Sequence, residues 1–155
     1  MAVVKFLILI LALGASSLAL IGPDKQEKVA SRAEKPEEVK NVRINGAAAR
    51  VDLALTMEQR AKGLSGRKKL EPDKGMLFYF DKPGFYSFWM KDMNFPIDII
   101  WIGEDLKVAD ITEDALPESF PKQFLPEKAA KLVLEVNAGW AKKNGVKEGM
   151  PVKIF

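Results

Sequence analysis

The chain has 155 residues, with 24 basic and 21 acidic side chains, a net charge of +3, and neither histidine nor cysteine. Without histidine there is no imidazole general base, no imidazole metal ligand and no Ser-His or Cys-His nucleophile. Without cysteine there are no disulfides, so packing alone must hold the fold. The near-balance of charge, with no helix gathering basic residues on one face, excludes a nucleic-acid footprint.

Residues 1–22 carry a single charge, Lys5, followed by an apolar run from Phe6 to Ile21 interrupted only by Gly14, Ser16 and Ser17. This pattern reads as a signal peptide, with Ser17-Leu18-Ala19 offering a cleavage site after Ala19, or as an uncleaved N-terminal anchor, since a spanning helix needs roughly 17–25 apolar residues. Cleavage is the favoured of the two. No cysteine is present to carry a lipoprotein anchor. Residues 23–40 turn to Lys, Glu, Gln, Asp and Pro, a composition that cannot bury enough surface to offset ordering entropy and reads as a polar linker. Its mixed charges do not make a lipid-binding patch, so contact with a membrane is expected only through the N-terminal segment. Residues 41–155 are one domain's worth of chain.

Along that domain, Val51, Leu53 and Leu55 alternate on one side of a strand. Thr56 and Gln59 then form a capping box, Met57, Ala61 and Leu64 share one helical face, and Gly63 or Gly66 can end the helix. Met76–Phe80 and Phe85–Met90 read as a hairpin across Asp81-Lys82-Pro83-Gly84 with a type II turn. Ile97–Ile102 and Leu106–Ile111 form a second hairpin across Gly103-Glu104-Asp105. Residues 115–126 read as a loop laid over the sheet by Phe120 and Phe124. Lys131–Val136 is a strand, Trp140–Asn144 a short helix stopped at Asn144-Gly145, and Met150–Ile154 a closing strand. Short strands with one or two brief helices predict a mainly β domain, an antiparallel sandwich or barrel.

Residues 76–102 concentrate nine of the fourteen aromatic side chains. In the strand over Ile97–Ile102 both faces are apolar, so Asp98 points with Ile100 and Ile102 into a poorly solvated space and must find donors. Arg60 and Arg67, on and just beyond the capped helix, are the expected partners in an ion-pair network with Asp98, because a guanidinium can grip a carboxylate with two prongs. In the next-door segment Phe85, Ser87, Trp89 and Lys91 lie on one side and Tyr86, Phe88 and Met90 on the other. Trp89 with Lys91 and Arg67 would suit a ligand carrying an apolar or sugar-like ring and an anionic group. The bland alternative packs Trp89 under the 115–126 loop and runs the Lys91 stem along the surface.

Other acidic groupings are weaker. Asp110, Glu113 and Asp114 lack the spacing of a calcium loop and read as a solvated turn, so no metal or other cofactor is expected. Asp98 and Glu135 could act as a carboxylate pair only in a geometry that spacing does not supply.

The ordered segments Thr56-Met57-Glu58-Gln59-Arg60-Ala61-Lys62-Gly63-Leu64-Ser65-Gly66-Arg67, Gly75-Met76-Leu77-Phe78, Phe88-Trp89-Met90-Lys91, Pro96-Ile97-Asp98-Ile99 and Val133-Leu134-Glu135, followed by Gly139, Gly145-Val146 and Gly149, resemble the bacterial and archaeal family called domain of unknown function 192. The resemblance spans nearly the whole domain. It implies a compact, mainly β, jelly-roll-like fold in a small exported or membrane-tethered protein, and no established reaction. Ser65 stands where that family usually has methionine, and Asp92-Met93 replaces its usual Asn-Thr. A Ser65 nucleophile assisted by Lys62 or Lys68 is set aside on that ground.

The expected function is an exported binding or accessory module of the cell envelope, outside the cytoplasm, with a small-molecule, carbohydrate or peptide ligand, or an envelope protein, meeting Trp89, Lys91 and Arg67. A histidine-free hydrolase or carbohydrate-active enzyme would instead use Asp98 as acid or base beside Arg60 or Lys91. A structural partner of a membrane complex would expose a broad apolar patch and no cleft.

Overall fold

The computed structural model describes residues 41–155; the signal peptide or anchor expected over 1–22 and the linker over 23–40 lie outside the described residues. The first strand, β1 (Asn41–Ile44), turns into β2 (Ala47–Ala54) through Asn45-Gly46. Both turn residues have positive φ, 49° and 84°, the backbone that a two-residue hairpin needs and that Asn-Gly adopts most readily. Helix α1 (Met57–Lys62) carries the expected capping box and ends at Gly63. It connects β2 to β3 (Lys74–Gly84), which pairs parallel to β2. The remaining strands are β4 (Phe88–Trp89), β5 (Ile97–Ile102), β6 (Val108–Ala115), β7 (Gln123–Phe124), β8 (Ala130–Asn137) and β9 (Val152–Ile154), with α2 (Trp140–Lys143) between β8 and β9.

Seven strands form one sheet in the order β6-β5-β8-β3-β2-β1-β9, antiparallel except for β2 with β3. The sheet curls until its ends meet: Lys107 bridges Pro151, Val108 N–H donates to Met150 O at 2.9 Å and Val152 N–H to Leu106 O at 2.8 Å. The domain is therefore mainly β and barrel-like, as the strand pattern predicts.

Curling gives the sheet two apolar layers. Val42, Val51, Leu77, Ile100, Leu134 and Val136 fill the inside together with Trp140 and Ala141 of α2. Met76, Phe78, Ile99, Trp101 and Val133 face outward, where Leu64, Leu70, Met90 and Phe124 cover them. The central strands β3, β5 and β8 are thus buried on both faces, and all six residues of β5 are buried. Gly75 is required where β3 meets β8, since a Cβ there would lie 2.6 Å from the Glu135 carbonyl oxygen.

Two expectations are corrected. The Met76–Phe80 and Phe85–Met90 hairpin does not form: β3 runs on to Gly84 along β8, and the two-residue β4 pairs instead with β7, Phe88 facing Phe124 and Trp89 facing Gln123. A partner already present in β8 outcompetes the local return of the chain. The Arg60–Arg67–Asp98 network is also absent. Asp98 is fully buried on the inner face, where Oδ1 accepts from Asp114 N–H at 3.0 Å and Gly139 N–H at 3.1 Å, and Oδ2 from Ala141 N–H at 2.8 Å. The arginines belong to the outer layer, so the sheet itself separates them from Asp98. Arg67 pairs with Asp52 at 2.9 Å. Arg60 donates to Leu55 O and Tyr79 O at 2.6 and 2.7 Å and lies over the Phe80 ring.

Asp98 thereby serves as the cap that α2 lacks in its own Gly139, and it joins β5, β6 and α2. Replacing it with alanine strips three N–H groups, one buried and two partly buried, of their acceptor, an expected loss of about 3–5 kcal/mol. Asp98→Asn recovers part of that loss, read as the urea midpoint of each variant at constant slope.

Candidate functional site

A cleft of about 330 Å³ opens on the outer side of the sheet between α1 with its following loop and the chain leading through β4. Its walls follow from the local sequence. The inward set Tyr86, Phe88 and Met90 packs down: Tyr86 stacks on Phe80 at 3.5 Å, and Phe88 meets Phe78 edge-on at 4.9 Å and Trp101 at 6.4 Å. The outward set is left at the surface, with Trp89 48% exposed and lining the cleft. On the opposite wall Gly63, at φ 50°, lies so close to Phe78 that a Cβ would touch the ring at 3.4 Å.

The mouth is held by ties between two loops. Ser65 Oγ donates to Lys91 O at 2.8 Å, Gly66 N–H to Asp92 O at 2.8 Å, and Asn94 Nδ2 to Arg67 O at 2.9 Å. Ser65 thus takes part in these ties through its side chain and Asp92 through its main-chain carbonyl. Asp92 sits at φ 55°, a backbone region in which Asp is among the better tolerated residues.

At the cleft floor lies Glu135 of β8, 5% exposed, its Oε2 without a hydrogen-bond partner among the described residues. Its cross-strand neighbours are Met76 and Ile99. Burial among them drives its pKa from 4.5 up to about 8, while the Arg67 guanidinium draws it down in part. The group is therefore protonated at neutral pH, an O–H donor beside a carbonyl acceptor.

The structure separates the three expected ligand residues. Trp89 belongs to the cleft, and Arg67 borders an adjacent depression of about 450 Å³ that shares Lys62, Gly63 and Ser65 with it. Lys91 lines neither; it is exposed and contributes its carbonyl to the loop tie. Asp98 and Glu135 lie on opposite faces of the sheet and cannot act as a carboxylate pair. Asp110 accepts backbone N–H bonds from Ile111 and Glu127, which fastens the chain beyond β7 to β6. The residue the sequence reading passed over is Glu135 as a site in its own right. The signal was available, because an acid inside Leu132-Val133-Leu134-Glu135-Val136 has the same two-sided apolar setting that singles out Asp98.

An unpartnered buried acid weakens the fold, and the sign of its pH dependence follows. Below pH 4.5 folded and unfolded chains both hold the proton; between 4.5 and about 8 only the folded chain does, so stability falls across that window and levels off above it. The wild type should lose on the order of a few kcal/mol more than Glu135→Gln between pH 5 and 8. Glu135→Met, which removes the orphaned polar atoms at similar volume, should stabilise the domain by about 1–3 kcal/mol at pH 7.5. Both are read by chemical denaturation at each pH.

Comparisons with known proteins agree with this architecture. A protein of Sinorhizobium meliloti 1021, proposed as a transcription regulator, is 33% identical with a TM-score of 0.70, over 75% of this chain and 93% of that one. A protein of unknown function from Novosphingobium aromaticivorans DSM 12444 is 31% identical with a TM-score of 0.70, over 85% of this chain and 99% of that one. No curated protein matches. The profile of the uncharacterised ACR family DUF192 matches residues 40–154, and the chain belongs to that family.

Proposed function

We propose that the domain is a binding module of the cell envelope, exported or tethered by its apolar N-terminal segment, that holds a small organic ligand in the cleft beneath Trp89. The observation that carries this reading is the combination of aromatic walls with the buried Glu135 carboxyl, whose Oε2 has no hydrogen-bond partner among the described residues. Native domains seldom leave such a group unsatisfied, and a cleft that positions a few polar groups against apolar walls is the usual form of a small-molecule site. The ties at Ser65 and Asn94 hold the mouth in shape before anything binds, which lowers the ordering cost of association.

The hydrolase alternative loses its acid. Asp98 is fully buried and both its oxygens are engaged by backbone N–H groups, so it offers a substrate neither access nor a free lone pair in the cleft. A regulator role, suggested for the Sinorhizobium relative, draws no support from the near-balanced charge of the chain.

Native mass spectrometry of the protein recovered from cells expressing the full chain, in detergent where it stays with the membrane, and exposed to a metabolite extract, tests the proposal. A reproducible small-molecule adduct is expected on the wild type, reduced about tenfold or more in Trp89→Ala. An adduct unaffected by Trp89→Ala, or no adduct at all, would overturn it.

A further inference from the structure

We infer that the cleft selects a neutral, planar ligand with an amide or lactam edge, which pairs with the Glu135 carboxyl in a cyclic two-hydrogen-bond contact while its ring lies against Trp89. This deepens the proposal above and rests on it.

A neutral carboxyl presents one donor and one acceptor side by side, and the group that answers both at once is another donor–acceptor pair of the same spacing, as in an amide or lactam. The burial that keeps Glu135 protonated near neutral pH supports that form of the group. The charged neighbours argue against the other way of satisfying a buried acid, an ammonium ligand. Arg60 and Lys62 of α1 line the same cleft, and Arg67 acts on Glu135 from the following loop. The strands on either side present Met76 and Ile99 opposite Glu135 and add no charge there. An incoming cation would meet positive potential, whereas a neutral ring would not. Arg60 is committed to two backbone carbonyls and the Phe80 ring, so it does not take up Glu135 itself. The volume of about 330 Å³, at the small end of ligand pockets, suits one or two fused rings rather than a chain.

The test compares 2-pyridone with N-methyl-2-pyridone, which differ in the N–H donor, and with benzylamine as a cationic probe. Binding to the full chain is followed by ligand-observed NMR and tryptophan fluorescence, in which Trp89 is exposed while Trp101 and Trp140 are buried. Three results are expected. 2-Pyridone binds about tenfold or more tightly than its N-methyl derivative, and Glu135→Leu erases the difference while Glu135→Gln, which keeps a neutral donor beside an acceptor, preserves it. The wild-type affinity for 2-pyridone falls as the pH passes through about 8, where the carboxyl loses its donor, and Glu135→Gln removes that fall. Benzylamine binds weakly to all three proteins. Equal binding of the two pyridones, or a benzylamine preference that Glu135→Gln abolishes, overturns the inference. If the native adduct persists while neither pyridone binds, this inference fails and the binding-module reading stands; if the adduct is missing too, both fail.

Discussion

A sheet covered on both faces leaves an acidic side chain on its central strands two ways to exist: it gathers donors, or it keeps its proton. This constraint organises the molecule. Asp98 and Glu135 lie on neighbouring strands, Asp98 opposite Val136 and Glu135 opposite Ile99, yet they point to opposite faces and meet different surroundings. On the inner face three backbone N–H groups converge on Asp98 from β6 and the start of α2. On the outer face nothing among the described residues answers Glu135 Oε2, and burial holds the proton on the group. The first acid contributes to architecture, and the second weakens it while giving the cleft its one buried polar contact.

The outer layer turns that local difference into a site. A strand two residues long would be marginal by itself, but β4 is held by β7 on one side and by the edge-on packing of Phe88 against Phe78 and Trp101 beneath it. Because side chains alternate along a strand, anchoring Phe88 inward turns Trp89 outward. The loop after α1 supplies the opposite wall and is fastened to the β4 side by side-chain and backbone bonds at the rim, above the buried cluster that Leu64 shares with Met90. Such bonds fix direction as well as distance, which suits the rim of a cleft better than close packing, where any filling side chain would occupy the ligand's space.

Much of this was legible in the residues. The capping box at Thr56 and Gln59, the two-sided burial of β5, the depth of Asp98 and the alternation around Trp89 all follow from patterns that act over a few residues. What the residues do not announce is pairing at a distance. The donors to Asp98 are main-chain groups as far away as Ala141, and every residue but proline carries such a group, so side-chain identity pointed instead to the arginines. The β3–β4 hairpin failed for a related reason: Pro83-Gly84 suits a turn, but the long-range partner β8 claimed the strand first. Glu135 was missed differently, since its two-sided apolar setting was readable and was weighed only as a companion to Asp98.

The first and last strands of the described residues are neighbours within the sheet. Asn41 and Phe155 exchange main-chain hydrogen bonds at 2.9 and 3.0 Å, and β1 lies directly beside β9. In a domain cut to residues 41–155, a few added glycines would join Phe155 to Asn41, and the exposed Glu104-Asp105 corner offers a place for new ends. A circularly permuted domain of this kind would keep every strand register while moving its free ends to the β5–β6 turn, because the barrel depends on which strands are neighbours and only weakly on where the chain is cut.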